Sequence, residues 1–132
     1  MKGTVPHWLA KAQDDLLSSQ ILFDNSHPKQ VYIISYHCQQ CAEKSLKLYL
    51  VFKDCDFPFT HDLEELCELC VGFDSSFGEL MDDCVVLTPY ATKVRYPDEI
   101  EIDEQDAKSA LQKAERILTF VENLINPKAT DE

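Results

Sequence analysis

The stretch Ile34-Ser35-Tyr36-His37-Cys38-Gln39-Gln40-Cys41-Ala42-Glu43-Lys44-Ser45-Leu46-Lys47-Leu48-Tyr49-Leu50-Val51-Phe52 decides the fold. Ile34, Cys38, Cys41, Ser45, Leu48 and Phe52 recur at steps of four and three, the period of one helix face. Gln39, Gln40, Glu43 and Lys47 fall on the other side, with Glu43 and Lys47 in the i,i+4 order that favours an ion pair. Val31–Ile34 is β-prone by itself, but the helical period that follows outweighs it. A helix is therefore expected from about Lys29 to Lys53.

The same period extends in both directions. Before it, Trp8, Ala12, Leu16, Ser19 and Phe23 share a face, Thr4 supplies an N-cap and Pro6 suits a first turn, so a helix is expected over Val5–Phe23. The turn cluster Asp24-Asn25-Ser26-His27-Pro28 separates the two. After it, a short helix is expected over Asp62–Val71, with Thr60 as N-cap, Gly72 at its end and acidic residues in its first turn. A fourth helix starts near Ser76 on the stripe Leu80, Cys84, Leu87, Ala91 and Val94; Pro89 must break or kink it, and Thr88-Pro89 can restart it. It ends at Tyr96-Pro97-Asp98. A fifth helix, capped by Asp103, spans Glu104–Ile125, with Ala107, Ala110, Leu111, Ala114, Ile117, Leu118, Val121 and Leu124 on one face. No run alternates as a strand does. The expected fold is all-α: an up-and-down antiparallel helical bundle of four long helices and one short one. One domain of 132 residues is expected, with its core over residues 5–125 and a tail at 126–132.

Charge narrows the function. Twelve Lys and Arg face 24 Asp and Glu, a net charge of −12. Non-specific nucleic-acid binding needs an excess of cations, so the isolated chain is expected to repel a polyanion, and any phosphate contact must be local. No apolar run is long enough to span a membrane. Met1-Lys2-Gly3-Thr4 leads straight into an amphipathic pattern without a signal-peptide core, so a cytoplasmic location is expected. The six cysteines are then expected as free thiols.

Four constellations could hold chemistry. Cys38-x-x-Cys41 and Cys67-x-x-Cys70 have zinc-like spacing, but both pairs fall inside amphipathic helices, where a thiol packs as a small hydrophobe; no metal and no cofactor is expected. His37, Gln40 and Lys44, at i, i+3 and i+7, form a polar stripe beside the core face, suited either to a ligand held between helices or to an ordinary boundary. The segment Tyr90-Ala91-Thr92-Lys93-Val94-Arg95-Tyr96-Pro97-Asp98 alone combines cations, aromatic rings and a helix end. Lys93 and Arg95 suit a phosphate, and Tyr90 or Tyr96 a base; the plainer reading pairs Arg95 with a carboxylate such as Asp15. A Cys–His nucleophile pair is the fourth candidate (His37 with Cys38, or His61 with Cys67); the first is poorly disposed, because adjacent helix residues point about 100° apart.

Several segments together resemble HEPN domains. Trp8-Leu9-Ala10-Lys11-Ala12-Gln13-Asp14-Asp15-Leu16 is similar to their opening helix, and Tyr36–Lys47 to a second helix of the form H-A-Q-Q-A-A-E-K-x-L-K. Thr60-His61-Asp62-Leu63, Leu87-Thr88-Pro89-Tyr90 and Arg95-Tyr96-Pro97-Asp98 match further signatures in the same order. Cys38 and Cys41 stand where the family has Ala, in line with a core role.

The resemblance implies a helical bundle, commonly a homodimer, often paired with a minimal nucleotidyltransferase. Relatives of the Arg-Tyr-Pro-Asp type are associated with nucleotides. Others are ribonucleases built on Arg-x(4–6)-His. That motif is impossible here: both arginines, Arg95 and Arg116, follow all four histidines. The expected function is a nucleotide-binding partner of a nucleotidyltransferase, in a toxin–antitoxin-like pair, with His37, Gln40, Lys44, Tyr90, Arg95 and Tyr96 lining the ligand groove and no catalytic residue of its own. A metal-independent RNase with a rearranged Arg/His site and a non-catalytic homodimeric interaction module are the alternatives.

Overall fold

A computed structural model of the chain describes residues 3–92 and 101–126. Helix α1 spans Val5–Asn25, and Thr4 Oγ1 accepts the His7 N–H at its start. Helix α2 spans Val31–Phe52, α3 Leu63–Val71, α4 Met81–Leu87 and α5 Glu104–Ile125. No strand is present among the described residues, and the all-α bundle expected from the sequence is the architecture found. None of the described helices is long and apolar enough to cross a membrane.

α2 is the central element, with α1 and α5 packed along it and α3 against its second half. Its apolar face is sealed: Ile34, Cys38, Cys41, Leu46, Leu48 and Leu50 have no exposed surface. Each such leucine contributes roughly 1.5–3 kcal/mol by leaving water. Phe77 locks the α3–α4 end, its ring centroid 4.5 Å from Tyr49 and 4.9 Å from Phe120.

α2 ends in a way the sequence disguises. Asp54 adopts φ 55°, Cys55 N–H bonds Leu50 O at 2.8 Å and Asp54 N–H bonds Val51 O at 3.0 Å. This is a Schellman closure with Asp at the left-handed position that glycine commonly fills.

Two expected boundaries shift. Asp62, not Thr60, caps α3: its carboxylate accepts from Glu64 N–H, while Thr60 Oγ1 accepts from Asp62 N–H just before it. The fourth helical stretch is three pieces, a 3-10 helix Ser75–Leu80, α4, and a 3-10 helix Thr88–Ala91 with Pro89 in its first turn. Thr88 caps no restart. Its hydroxyl donates back to Cys84 O at 2.8 Å and accepts Leu63 N–H at 3.2 Å, fastening this stretch to the start of α3. α5 follows its predicted limits, with a full capping box between Asp103 and Asp106.

Candidate functional site

From Ile34 to Val51, every residue of α2 is buried except Tyr36, His37, Gln40 and Lys44. The middle of this central helix is covered on nearly every side and thus keeps one narrow polar opening. Three of its four residues are those the i, i+3, i+7 stripe singles out, and Tyr36 is the fourth. Its ring meets His37 edge-on, with centroids 5.5 Å apart.

The opening is anchored from α1. Ala12, Asp15 and Ser19 are the buried positions of that helix, and Ser19 Oγ donates to both Asp15 O and Ile34 O, each at 3.1 Å. Asp15 therefore points its carboxylate at α2. His37 Nδ1 donates to Oδ1 at 2.9 Å and Lys44 Nζ to Oδ2 at 2.5 Å. A buried carboxylate needs such partners, and two cationic-type donors supply them. Asp15 takes these two partners from α2; Arg95, the partner considered from sequence, lies outside the described residues. The Asp15 bond also fixes the ring: in the neutral imidazole the proton sits on Nδ1, and Nε2 is left as an acceptor. About a quarter of each donor side chain stays exposed, 29% for His37 and 24% for Lys44, so both remain accessible.

A second network lies beside the first, built from the residues that the sequence puts on the side of α2 away from its apolar stripe. Gln39, Glu43 and Lys47 are buried. Trp8 and Phe57 pack edge to face over them, with Lys47 Nζ 5.5 Å from the Phe57 ring and 6.0 Å from the Trp8 ring. Glu43 accepts from Lys47 Nζ at 2.9 Å, His61 Nδ1 at 2.8 Å and Gln39 Nε2 at 3.2 Å. Burial pushes the Glu43 carboxyl up, but the Lys47 and His61 donors, the Lys47 charge and the Gln39 amide outweigh it and hold it below the ordinary glutamate value. Gln40 joins the opening to this network, its Nε2 donating to Gln39 Oε1 at 2.7 Å. The available signal was the Thr-His-Asp-Leu segment, which delivers His61 to Glu43.

The model of the HEPN domain family matches residues 5–124, nearly the whole chain. The chain belongs to the HEPN family. Two solved structures share its fold. The archaeal HEPN homologue ST0689 is 24% identical, with a TM-score of 0.74 over 93% of this chain and 98% of that one. TT1696 from Thermus thermophilus is also 24% identical, with a TM-score of 0.77 over 90% of this chain and 96% of the other. A search of curated proteins gives no match.

In this HEPN chain Tyr90 is packed inside rather than offered to solvent. Burial raises its phenol, and Asp106, Cys38 and Asp103 add to the rise. The turn Thr88–Ala91 that carries it packs against α2. Arg95 and Tyr96, with Lys93, lie outside the described residues. The cysteine pairs are core: Cys38, Cys41, Cys67 and Cys70 have no exposed surface. Burial pushes the Cys38 thiol up to about 12 and raises Cys41 and Cys70 as well. The Cys67 and Cys84 thiols act on each other, which lowers the first and raises the second.

Proposed function

We propose that this HEPN protein binds a nucleotide at the α2 opening and serves as a cytoplasmic, homodimeric partner of a minimal nucleotidyltransferase in a toxin–antitoxin-like pair. The observation that carries the reading is the arrangement around Asp15. A buried carboxylate holds an ammonium and an imidazole side by side, at the one place where the middle of α2 reaches solvent. Lys44 keeps two N–H donors beyond the one Asp15 takes, enough for a phosphate oxygen. His37 and Gln40 meet the sugar or the base.

Arg95 supplies the second phosphate cation. With Tyr90 packed inside, stacking on the base falls to Tyr96 and Tyr36. Arg95 and Tyr96 follow in sequence the turn Thr88–Ala91, which packs against α2. A local cationic opening on a chain of net charge −12 suits a single nucleotide better than a polynucleotide. A second copy has apolar surface to dock on. Leu17 and Ile21 stand exposed one turn apart on α1, and Ile33 is exposed at the start of α2.

Titration calorimetry with ATP tests the binding. The reading expects saturable binding that falls about tenfold or more in Lys44→Ala and in Arg95→Ala, the loss of one charge-assisted contact each. No binding by the wild type, or equal binding by both variants, overturns it. Co-purification with the product of an adjacent nucleotidyltransferase gene tests the partnership.

A further inference from the structure

We infer that the α2 opening reads the base, and that Gln40 makes it prefer an adenine-type edge, amino donor beside ring acceptor, over a keto edge. This rests on the nucleotide-binding reading above and adds the ligand's class to it.

The argument starts at Gln39, which has no exposed surface. Its Nε2 faces two groups that can only accept: Glu43 Oε1 at 3.2 Å and the His61 carbonyl at 3.0 Å. The amide nitrogen must therefore point that way, and a flipped Gln39 would set its oxygen against a carboxylate and a carbonyl. That orientation turns Gln39 Oε1 toward Gln40. An oxygen there demands a donor, so Gln40 presents Nε2 to it, at 2.7 Å. Gln40 is then fixed in turn. Its Oε1 has no partner among the described residues, and one of its two N–H groups is spent on Gln39. What remains is one acceptor and one donor on a half-buried side chain, flanked by Lys44 and His37.

A glutamine in that state forms a two-point match with adenine, its oxygen accepting from the N6 amino group and its N–H donating to the ring nitrogen N7. Against a 6-keto purine, the same oxygen meets O6, and two acceptors face each other without a proton between them. Because buried partners hold Gln40, it cannot rotate to relieve the clash without breaking the Gln39 chain.

Calorimetry with ATP and ITP, whose bases differ only along the N1–C6 edge, tests this on the full chain. The wild type is expected to bind ATP about tenfold or more tightly than ITP, the worth of one two-point base contact. In Gln40→Ala the ratio should fall to near one. In Gln40→Arg, whose fork matches the two acceptors O6 and N7, it should tip toward ITP. Because each result is a ratio within one variant, a general loss of affinity does not mimic it. Equal affinities in the wild type, or an ATP preference that survives Gln40→Ala, overturn the inference and leave nucleotide binding intact. Failure of the wild type to bind either nucleotide removes both.

Discussion

His37 Nδ1 lies 2.9 Å from Asp15 Oδ1, so an imidazole on the central helix is held by a buried carboxylate on the first. The other Asp15 oxygen holds Lys44. The opening on α2 is therefore built from two helices, and its cation is fixed in place before any ligand arrives.

Removing the anchor should be costly. Asp15→Ala leaves two donors without their acceptor, and their partial exposure lets water relieve part of the loss. A destabilisation of about 2 kcal/mol is expected in urea unfolding, below the roughly 3–5 kcal/mol typical of a fully buried pair. Lys44→Met placed on top of Asp15→Ala should recover part of it. A single-variant loss under about 0.5 kcal/mol would show the pair to be idle.

Acid should act through Glu43. Its carboxyl is held below the ordinary value of 4.5, so the unfolded chain binds the proton more tightly than the folded one. The stabilisation is complete above pH 4.5 and is lost as pH falls through the lowered folded value. Urea midpoints measured from neutral pH into the acid range should show a slope below pH 4.5 that Glu43→Gln reduces. Glu43→Gln should also cost about 3 kcal/mol at neutral pH, because Lys47 and His61 lose a buried charge. An unchanged acid slope in the variant would assign the transition to other carboxyls.

Thiol chemistry should be confined to one residue. Of the six cysteines only Cys55 is partly exposed. Ellman's reagent at mildly alkaline pH should label one thiol quickly in the native protein and the remainder only on unfolding, since burial both shields the others and keeps Cys38, Cys41 and Cys70 protonated. Cys55→Ser should abolish the fast phase. Rapid labelling of two or more thiols would contradict the packing of α3 against α4.

One buried polar atom is a liability. Ser35 is fully buried, and its Oγ has no partner among the described residues. Ser35→Ala removes an unsatisfied hydroxyl at no loss of a hydrogen bond, so stability should rise by about 1 kcal/mol. Thermal unfolding would show it, and a fall in midpoint would reveal a partner for the hydroxyl.

Much of this was legible in the residues. The 3.6 period alone placed α1, α2 and α5, and the stripe His37, Gln40, Lys44 proved to be three of the four side chains that the middle of α2 shows to solvent. Periodicity could not show that the side of α2 bearing Gln39, Glu43 and Lys47 is covered too. Its cover comes from Trp8 at one end of α1 and from Phe57 and His61 in the loop before α3, contacts distant in sequence. A polar face reads as solvated until a lid is known. The anchor of the stripe is half legible: the sequence offers Asp15 as a carboxylate to be paired, with Arg95, but the α1–α2 register that brings it to His37 and Lys44 depends on the packing of Ser19 against Ile34. Asp54 closes α2 in a conformation that usually announces itself with glycine, so no residue type there marks the turn in advance.

The most direct test of the central claim follows the opening itself. In a nuclear magnetic resonance titration of the labelled chain with ATP, the side-chain amide of Gln40, the imidazole of His37 and the backbone from Tyr36 to Lys44 should shift together and saturate. The outer face of α5, around Gln112 and Arg116, should stay silent although it bears a depression of 410 Å³. Shifts confined to α5, or none at Gln40 and His37 up to saturating nucleotide, would contradict the account.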